Sequence, residues 1–176
     1  MAQWTFEPGH TAAEFCVRHM MVTYVRGHFK NIHGTLEFDP DHPTNSSVNV
    51  EIKAPELWTG EAERDDHLRS ADFLDVANHP RIAFKSTKVE QVAGNEYKVT
   101  GDLTIRGVTR PASLEVRYFG KGQSPFNDTR AGFTATIIIN RHDFGVSWNA
   151  DMADGGGVVV GHDVVITIDA EAILKA

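Results

Sequence analysis

The sequence predicts an all-β protein whose antiparallel strands enclose one apolar interior. Three observations predict it. Apolar residues recur at every second position in run after run, turn-forming residues separate the runs, and a single stretch carries a helical rhythm. Period-two alternation gives each strand one oily face and one wet face, the pattern of an antiparallel sheet solvated on one side.

The elements follow in order. Trp4-Thr5-Phe6 opens the chain and Glu7-Pro8-Gly9 turns it. Ala13, Phe15 and Val17 then alternate with Glu14, Cys16 and Arg18, and His19 continues the phase of Phe15 and Val17. Met20 to Tyr24 is a short apolar connector. Between Gly27 and Phe38 the phase slips: Phe29 sits at an odd position, Leu36 and Phe38 at even ones. Side chains alternate strictly along a strand, so the slip predicts a bulge near His33-Gly34. Asp39-Pro40-Asp41 reads as a turn, and Val48, Val50 and Ile52 form the next stripe. Glu61 to Asp75 breaks the rhythm and predicts one or two helical turns. Asp65 or Asp66 sits in the first turn, favourably placed in the helix dipole, and Leu68, Phe73 and Leu74 are able to plug an opening.

The second half is more regular. Ile82 and Phe84 are followed by a turn at Ala93-Gly94-Asn95, then by Tyr97, Val99, Leu103 and Ile105. Arg106-Gly107-Val108-Thr109 turns the chain into Ala112, Leu114, Val116 and Tyr118, and Gly120-Lys121-Gly122 reads as the next turn. Phe133, Ala135, Ile137 and Ile139 form one stripe. A flexible loop at Gly155-Gly156-Gly157 precedes the last, Val164, Ile166, Ile168 and Ala170. No repeat and no linker divides residues 1–176, which read as a single domain. At least eight amphipathic strands in meander order satisfy two architectures, a closed barrel or a two-sheet sandwich. An eight-stranded barrel has room inside for side chains or one small ligand.

Composition narrows the function. Hydrophobic residues make up 41% and charged residues 23%, an ordinary soluble balance. A net charge of −7 argues against a nucleic-acid partner and against docking on anionic lipid through a basic patch. The lone Cys16 excludes an intramolecular disulfide. No apolar run approaches the ~18 residues that cross a bilayer as a helix, so no integral membrane segment is expected.

Candidate chemistry is sparse. His67 beside Asp65 and Asp66 suits a base and its orienter, an enzyme acting on a small apolar substrate being the alternative reading. The structural reading has the carboxylates serve the helix start while His67 and Arg69 hydrogen-bond a neighbouring loop. Nine histidines contain neither HExxH nor a tight HxH unit, so neither a metal nor any other cofactor is expected. The stripes containing Phe15, Phe29, Ile82, Phe84, Leu103, Phe133 and Ile137 either fill the interior as dry core or line a cavity; pattern alone leaves both open.

Several motifs together resemble one family. They are Trp4-Thr5-Phe6-Glu7 with His10-Thr11, then Phe15-Cys16-Val17-Arg18-His19, Gly27-His28-Phe29 and Gly34-Thr35-Leu36-Glu37-Phe38-Asp39. The most specific stretch runs from Arg64-Asp65-Asp66-His67-Leu68-Arg69 through Ser70-Ala71-Asp72-Phe73-Leu74-Asp75 to Pro80-Arg81-Ile82-Ala83-Phe84. Gly101-Asp102-Leu103-Thr104-Ile105-Arg106-Gly107 and Ile139-Asn140-Arg141-His142-Asp143-Phe144-Gly145 follow in order. The chain resembles the YceI-like, lipid- or polyisoprenoid-binding family over essentially its whole length.

The resemblance implies an antiparallel eight-stranded, extended lipocalin-like β-barrel, often a homodimer, holding a long isoprenoid lipid or quinone-like amphiphile. It implies a non-enzymatic carrier and selects the cavity over the dry core. Phe15, Val17, Phe29, Leu36, Ile82, Phe84, Leu103, Phe133, Ile137 and Ile166 are then expected along the channel. Leu68, Phe73, Phe144 and Trp148 are expected to close or shape its ends, and Arg18, His19 or His67 to meet the polar end of the ligand. Many members of the family are exported to the bacterial periplasm behind a signal peptide. Here the first strand begins almost at Met1, so a cytoplasmic protein is expected, or a periplasmic one where a leader has been removed.

Overall fold

A computed structural model describes residues 1–176. Ten strands carry the fold: β1 (Gln3–Phe6), β2 (Ala12–His19), β3 (Thr23–Phe29), β4 (His33–Glu37), β5 (Ser47–Lys53), β6 (Arg81–Ala93), β7 (Glu96–Ile105), β8 (Val108–Gln123), β9 (Thr129–Asn140) and β10 (Val160–Leu174). One α-helix, α1 (Ala62–Arg69), lies between β5 and β6. Each run of alternating apolar residues became a strand, and β5 to β10 form an unbroken antiparallel meander.

Closure comes from the chain start. The long β10 pairs with β9 on one side; on the other it pairs with β2 through Asp169↔Ala12 and with β1 through Leu174↔Trp4. β1 in turn pairs with β4, and β2 with β3. Thus β1 and β2 are two halves of one interrupted strand, as are β3 and β4, and the sheet is a closed eight-stranded antiparallel barrel. Closure leaves few edges to solvent.

Two turn assignments are corrected. The phase slip expected as a bulge near His33-Gly34 is a full break at Lys30–Ile32, where Asn31 takes φ 56°. Asparagine tolerates this left-handed backbone, so the strand stops and restarts in the other phase rather than bulging. The turn expected at Gly120-Lys121-Gly122 lies inside β8. There Gly120, at φ 103°, serves a register shift between Tyr118 and Gly120 against β9, and the chain reverses instead at Ser124–Asp128, closed by Ser124 N–H on the Asp128 carbonyl at 2.8 Å.

One end of the barrel is capped. The segment from Ala54 through α1 to His79, together with the 3-10 turn Arg141–Phe144 and the residues after it, covers the end where β6, β8 and β10 begin and β7 and β9 finish. α1 matches the expected helical stretch but is not amphipathic enough to be held by oil alone. Its buried Asp65 accepts from the Thr59 N–H at 3.0 Å and from the Thr59 hydroxyl, and Arg64 donates to the Thr59 carbonyl at 2.9 Å. Arg69 donates to the carbonyls of Pro55 and Leu57 at 2.9 and 2.8 Å. No helix is long and apolar enough to cross a membrane.

Candidate functional site

The inward faces of the strands do not meet on the barrel axis. They leave a cavity of about 290 Å³ bordered by forty residues, of which thirty-six are hydrophobic, near the lower edge of small-molecule sites. It extends from Phe38, Ser46, Val89 and Tyr97 at one end to Leu68, Phe73, Phe144 and Val146 beneath the cap. Phe15, Val17, Phe133, Ile137 and Ile166 all face inward, yet each is only half-buried. Inward side chains of a filled core would be sealed by their neighbours; these border open space.

Glycine helps keep that space open. Phe15 and Gly27 are direct partners across β2 and β3, and a Cβ on Gly27 would meet the Phe15 ring at 2.2 Å. A Cβ on Gly101 would likewise meet the Phe84 ring at 2.7 Å and the Lys85 carbonyl at 2.4 Å. At both places the missing side chain lets a phenyl ring lie flat along the wall instead of reaching toward the axis.

The structure brings thirteen of the fourteen apolar residues expected at the channel to its wall: Phe15, Val17, Phe29, Leu36, Leu68, Phe73, Ile82, Phe84, Leu103, Phe133, Ile137, Phe144 and Ile166. Trp148 is the exception. It backs the cap, 5.4 Å from the Phe73 ring, and does not reach the cavity. The three polar residues expected at the ligand's polar end also stay off the wall. Arg18 lies outside, over the Tyr24 ring at 5.0 Å with Nη1 on the Tyr24 hydroxyl at 2.6 Å, because its position on β2 is the outward one. His19 ends β2 in the ladder between Thr23 and Val160. His67 is half-exposed, bonded to Asp72 at 2.9 Å and edge-on to Phe73 and Trp148. The Asp65–Asp66–His67 trio does not assemble: Asp65 holds Thr59, Asp66 reaches Arg69 at 3.3 Å, and the partner of His67 is Asp72.

Sequence reasoning missed Arg141. It is a buried cation on the cavity wall with no carboxylate partner. Its guanidinium donates to the carbonyls of Gly161 (2.7 Å), Val146 (2.8 Å), Trp148 (2.9 Å) and Val160 (3.2 Å). Burial lowers its pKa from the usual arginine value, although arginine remains charged throughout the physiological range. Its signal was a cation two residues past the apolar run Ile137-Ile138-Ile139. Tyr97 and Tyr118 were read only as members of the apolar stripes. Both are buried on adjacent strands at the uncapped end, and neither hydroxyl takes a protein partner. Burial, with Tyr97 nearby, pushes the Tyr118 hydroxyl pKa up. No three histidine, cysteine or acidic side chains gather closely enough to hold a metal ion.

Comparison with known proteins agrees with this architecture. The profile of the YceI-like domain family matches residues 4–172. UPF0312 proteins of Pseudomonas savastanoi pv. phaseolicola and Pectobacterium atrosepticum are 41% identical over 140 residues and 40% identical over 141, in each case 80% of this chain and 73% of the relative. Burkholderia cenocepacia BcnA superposes with a TM-score of 0.80 at 22% identity, over 92% of this chain and 95% of its own. A Campylobacter jejuni YCEI protein gives 0.74 at 26% identity over 90% of both chains. A polyisoprenoid binding domain from Saccharophagus degradans, implicated in plant cell wall breakdown, gives 0.68 at 12% identity over 98% of both.

Proposed function

We propose, because this chain belongs to the YceI-like domain family, that it is a carrier that binds a long isoprenoid lipid, of polyprenyl or isoprenoid-quinone type, in the barrel interior. The observation that carries the reading is the cavity itself: one continuous apolar wall with half-buried inward side chains. The polyisoprenoid binding described for the Saccharophagus degradans domain supports the ligand class.

Binding of this kind needs shape and oil rather than catalytic groups. Each buried CH₂ contributes ~0.8 kcal/mol, so about 20 chain carbons offer ~16 kcal/mol gross. Ordering the chain and losing its translational freedom take back a large part. Two charged residues border the cavity and both are engaged elsewhere: Glu14 faces Arg26 at 3.1 Å, and Arg141 donates to main-chain carbonyls. An uncharged hydrocarbon is therefore what the wall accommodates without desolvation loss. The dispersal of Asp65, Asp66 and His67 to separate partners favours a carrier over an enzyme of the kind those residues suggested.

Mass spectrometry of an organic extract of the purified protein tests the reading and is expected to recover an isoprenoid lipid. Phe84→Asp places a carboxylate on the wall and is expected to abolish that recovery. A folded Phe84→Asp protein carrying lipid at wild-type occupancy would overturn the assignment of this wall.

A further inference from the structure

The hairpin between β2 and β3 departs from local preference twice. His19 to Val22 is a tight reversal closed by Val22 N–H on the His19 carbonyl at 3.2 Å, with Met20 at φ 50° and Met21 at φ 63°. Two successive left-handed residues carry the φ signs of a type I′ turn, whose ordinary occupants are asparagine and glycine because a larger side chain is strained there. The β7–β8 turn has the same signs of φ and carries Gly107 at its second position. In the β2–β3 hairpin both positions are methionine. The side chains so displayed are apolar and exposed: Met20 41%, Met21 46%, Val22 80% and Tyr24 53%. Asn-Gly would relieve the backbone and remove exposed oil together, so stability of the fold does not account for Met20-Met21. Such local conflicts concentrate at functional positions.

The tip stands at the capped end of the barrel. His19 is laddered to Val160, a residue of the cavity wall, and Met20 N–H donates to the Val159 carbonyl at 2.7 Å. Met21 lies against Gly157 in the loop leading to β10.

We infer that this hairpin tip inserts into the interface of a lipid bilayer, and that the cavity exchanges its ligand with the membrane there. The inference rests on the carrier reading above, since a water-insoluble chain has to be collected from a bilayer. Area argues against a protein partner. A stable protein interface takes about 800 Å² from each partner, far more than the tip of one hairpin offers, whereas insertion into lipid needs no complementary surface. The residue types agree. Tyr24 and the Arg18 guanidinium laid over its ring form a pair with an apolar body and a polar end, the combination that settles at head-group level. Arg18 has no carboxylate partner; its guanidinium holds the Tyr24 hydroxyl at 2.6 Å and the Met21 carbonyl at 3.2 Å and keeps further N–H groups for a lipid phosphate. The chain's net charge of −7 opposes an anionic surface, so attachment is driven by the apolar tip and suits a zwitterionic bilayer.

The test uses Met20→Asn/Met21→Gly, which supplies the ordinary type I′ residues and keeps the variant folded. Phosphatidylcholine vesicles carrying an isoprenoid quinone are mixed with lipid-free protein, and flotation and quinone uptake are measured. Wild type is expected to float with the vesicles and extract quinone. The double variant is expected to melt no lower than wild type and to load quinone from detergent micelles to the same occupancy. Its vesicle uptake rate should fall about ten-fold, the scale of losing one buried apolar side chain. Uptake by the variant at the wild-type rate overturns the inference. So does a wild type that loads from micelles but ignores vesicles, which leaves the carrier reading standing. Wild type loading from neither source overturns both. Wild-type self-association that the double variant abolishes would assign the tip to a second copy of the chain instead.

Discussion

The wall of the barrel and the cap over its end satisfy the same requirement by opposite means. In β5 to β10 every strand has neighbours on both sides over part of its length, so ladders take most backbone N–H and carbonyl groups and the inward side chains have no polar duty. They are free to be uniformly apolar and to stop short of the axis. The cap has no strand of its own, only an isolated bridge from Trp58 to His28. Its irregular backbone leaves carbonyls that arginines satisfy: Arg69 on Pro55 and Leu57, Arg106 on Ala71 and Gly145, and Arg141 on four carbonyls between Val146 and Gly161. Substitutions in the two regions therefore act on different properties. Changes in the wall alter what the cavity holds; changes among the cap arginines alter whether the cap stays folded.

The comparison breaks most visibly at Arg141. Arg141→Met keeps much of the volume but strands buried carbonyls, each costing about 1–3 kcal/mol when left unpaired. A loss of more than about 3 kcal/mol is expected in urea unfolding, and a loss below about 1 kcal/mol would show that water or a shifted loop replaces the guanidinium.

A pair of truncations separates sealed core from open wall. Ile32 is 1% exposed and packed on all sides, so Ile32→Ala should lie high in the about 2–5 kcal/mol range for core truncations. Leu103 borders space that is already open, so Leu103→Ala in lipid-free protein adds little new cavity and should cost about 2 kcal/mol or less. Equal costs would mean that the lumen is effectively closed in solution.

The smallest effect on stability is expected from Gly27→Ala, whose Cβ meets the movable Phe15 ring first. The ring must swing toward the axis, so the readout is capacity: reduced occupancy by a long isoprenoid, with the melting temperature lowered by only a few degrees. Unchanged occupancy would show that Phe15 has room elsewhere.

Much of this was legible in the residues. The stripes of β5 to β10 ran as read because alternation is a local property that each strand carries by itself. The helical stretch at α1 stood out because the period changed. The turn at Gly120-Lys121-Gly122 was misplaced because glycine serves a bulge as well as a turn, and only the register against β9 distinguishes them. The break at Asn31 was anticipated as a change of phase but put two to three residues late, since parity locates a slip only to the interval between two apolar residues. The polar site residues were the least legible. Arg18, His19 and His67 were plausible by type, but each found a partner or a place outside the wall, while Arg141 was passed over as part of a motif.

Alternation and turn chemistry by themselves determined that this chain forms antiparallel strands with one oily face, because both act between near neighbours; closure into a barrel came from β10 pairing with β1 and β2. Whether that inner face closes on itself or leaves a tunnel was decided only in three dimensions. It depends on Phe15 lying flat over Gly27 and Phe84 over Gly101, contacts between residues twelve and seventeen positions apart whose meeting is set by strand register. The same is true of Arg141: a charge becomes a structural clip only where the folded chain presents carbonyls that nothing else can reach.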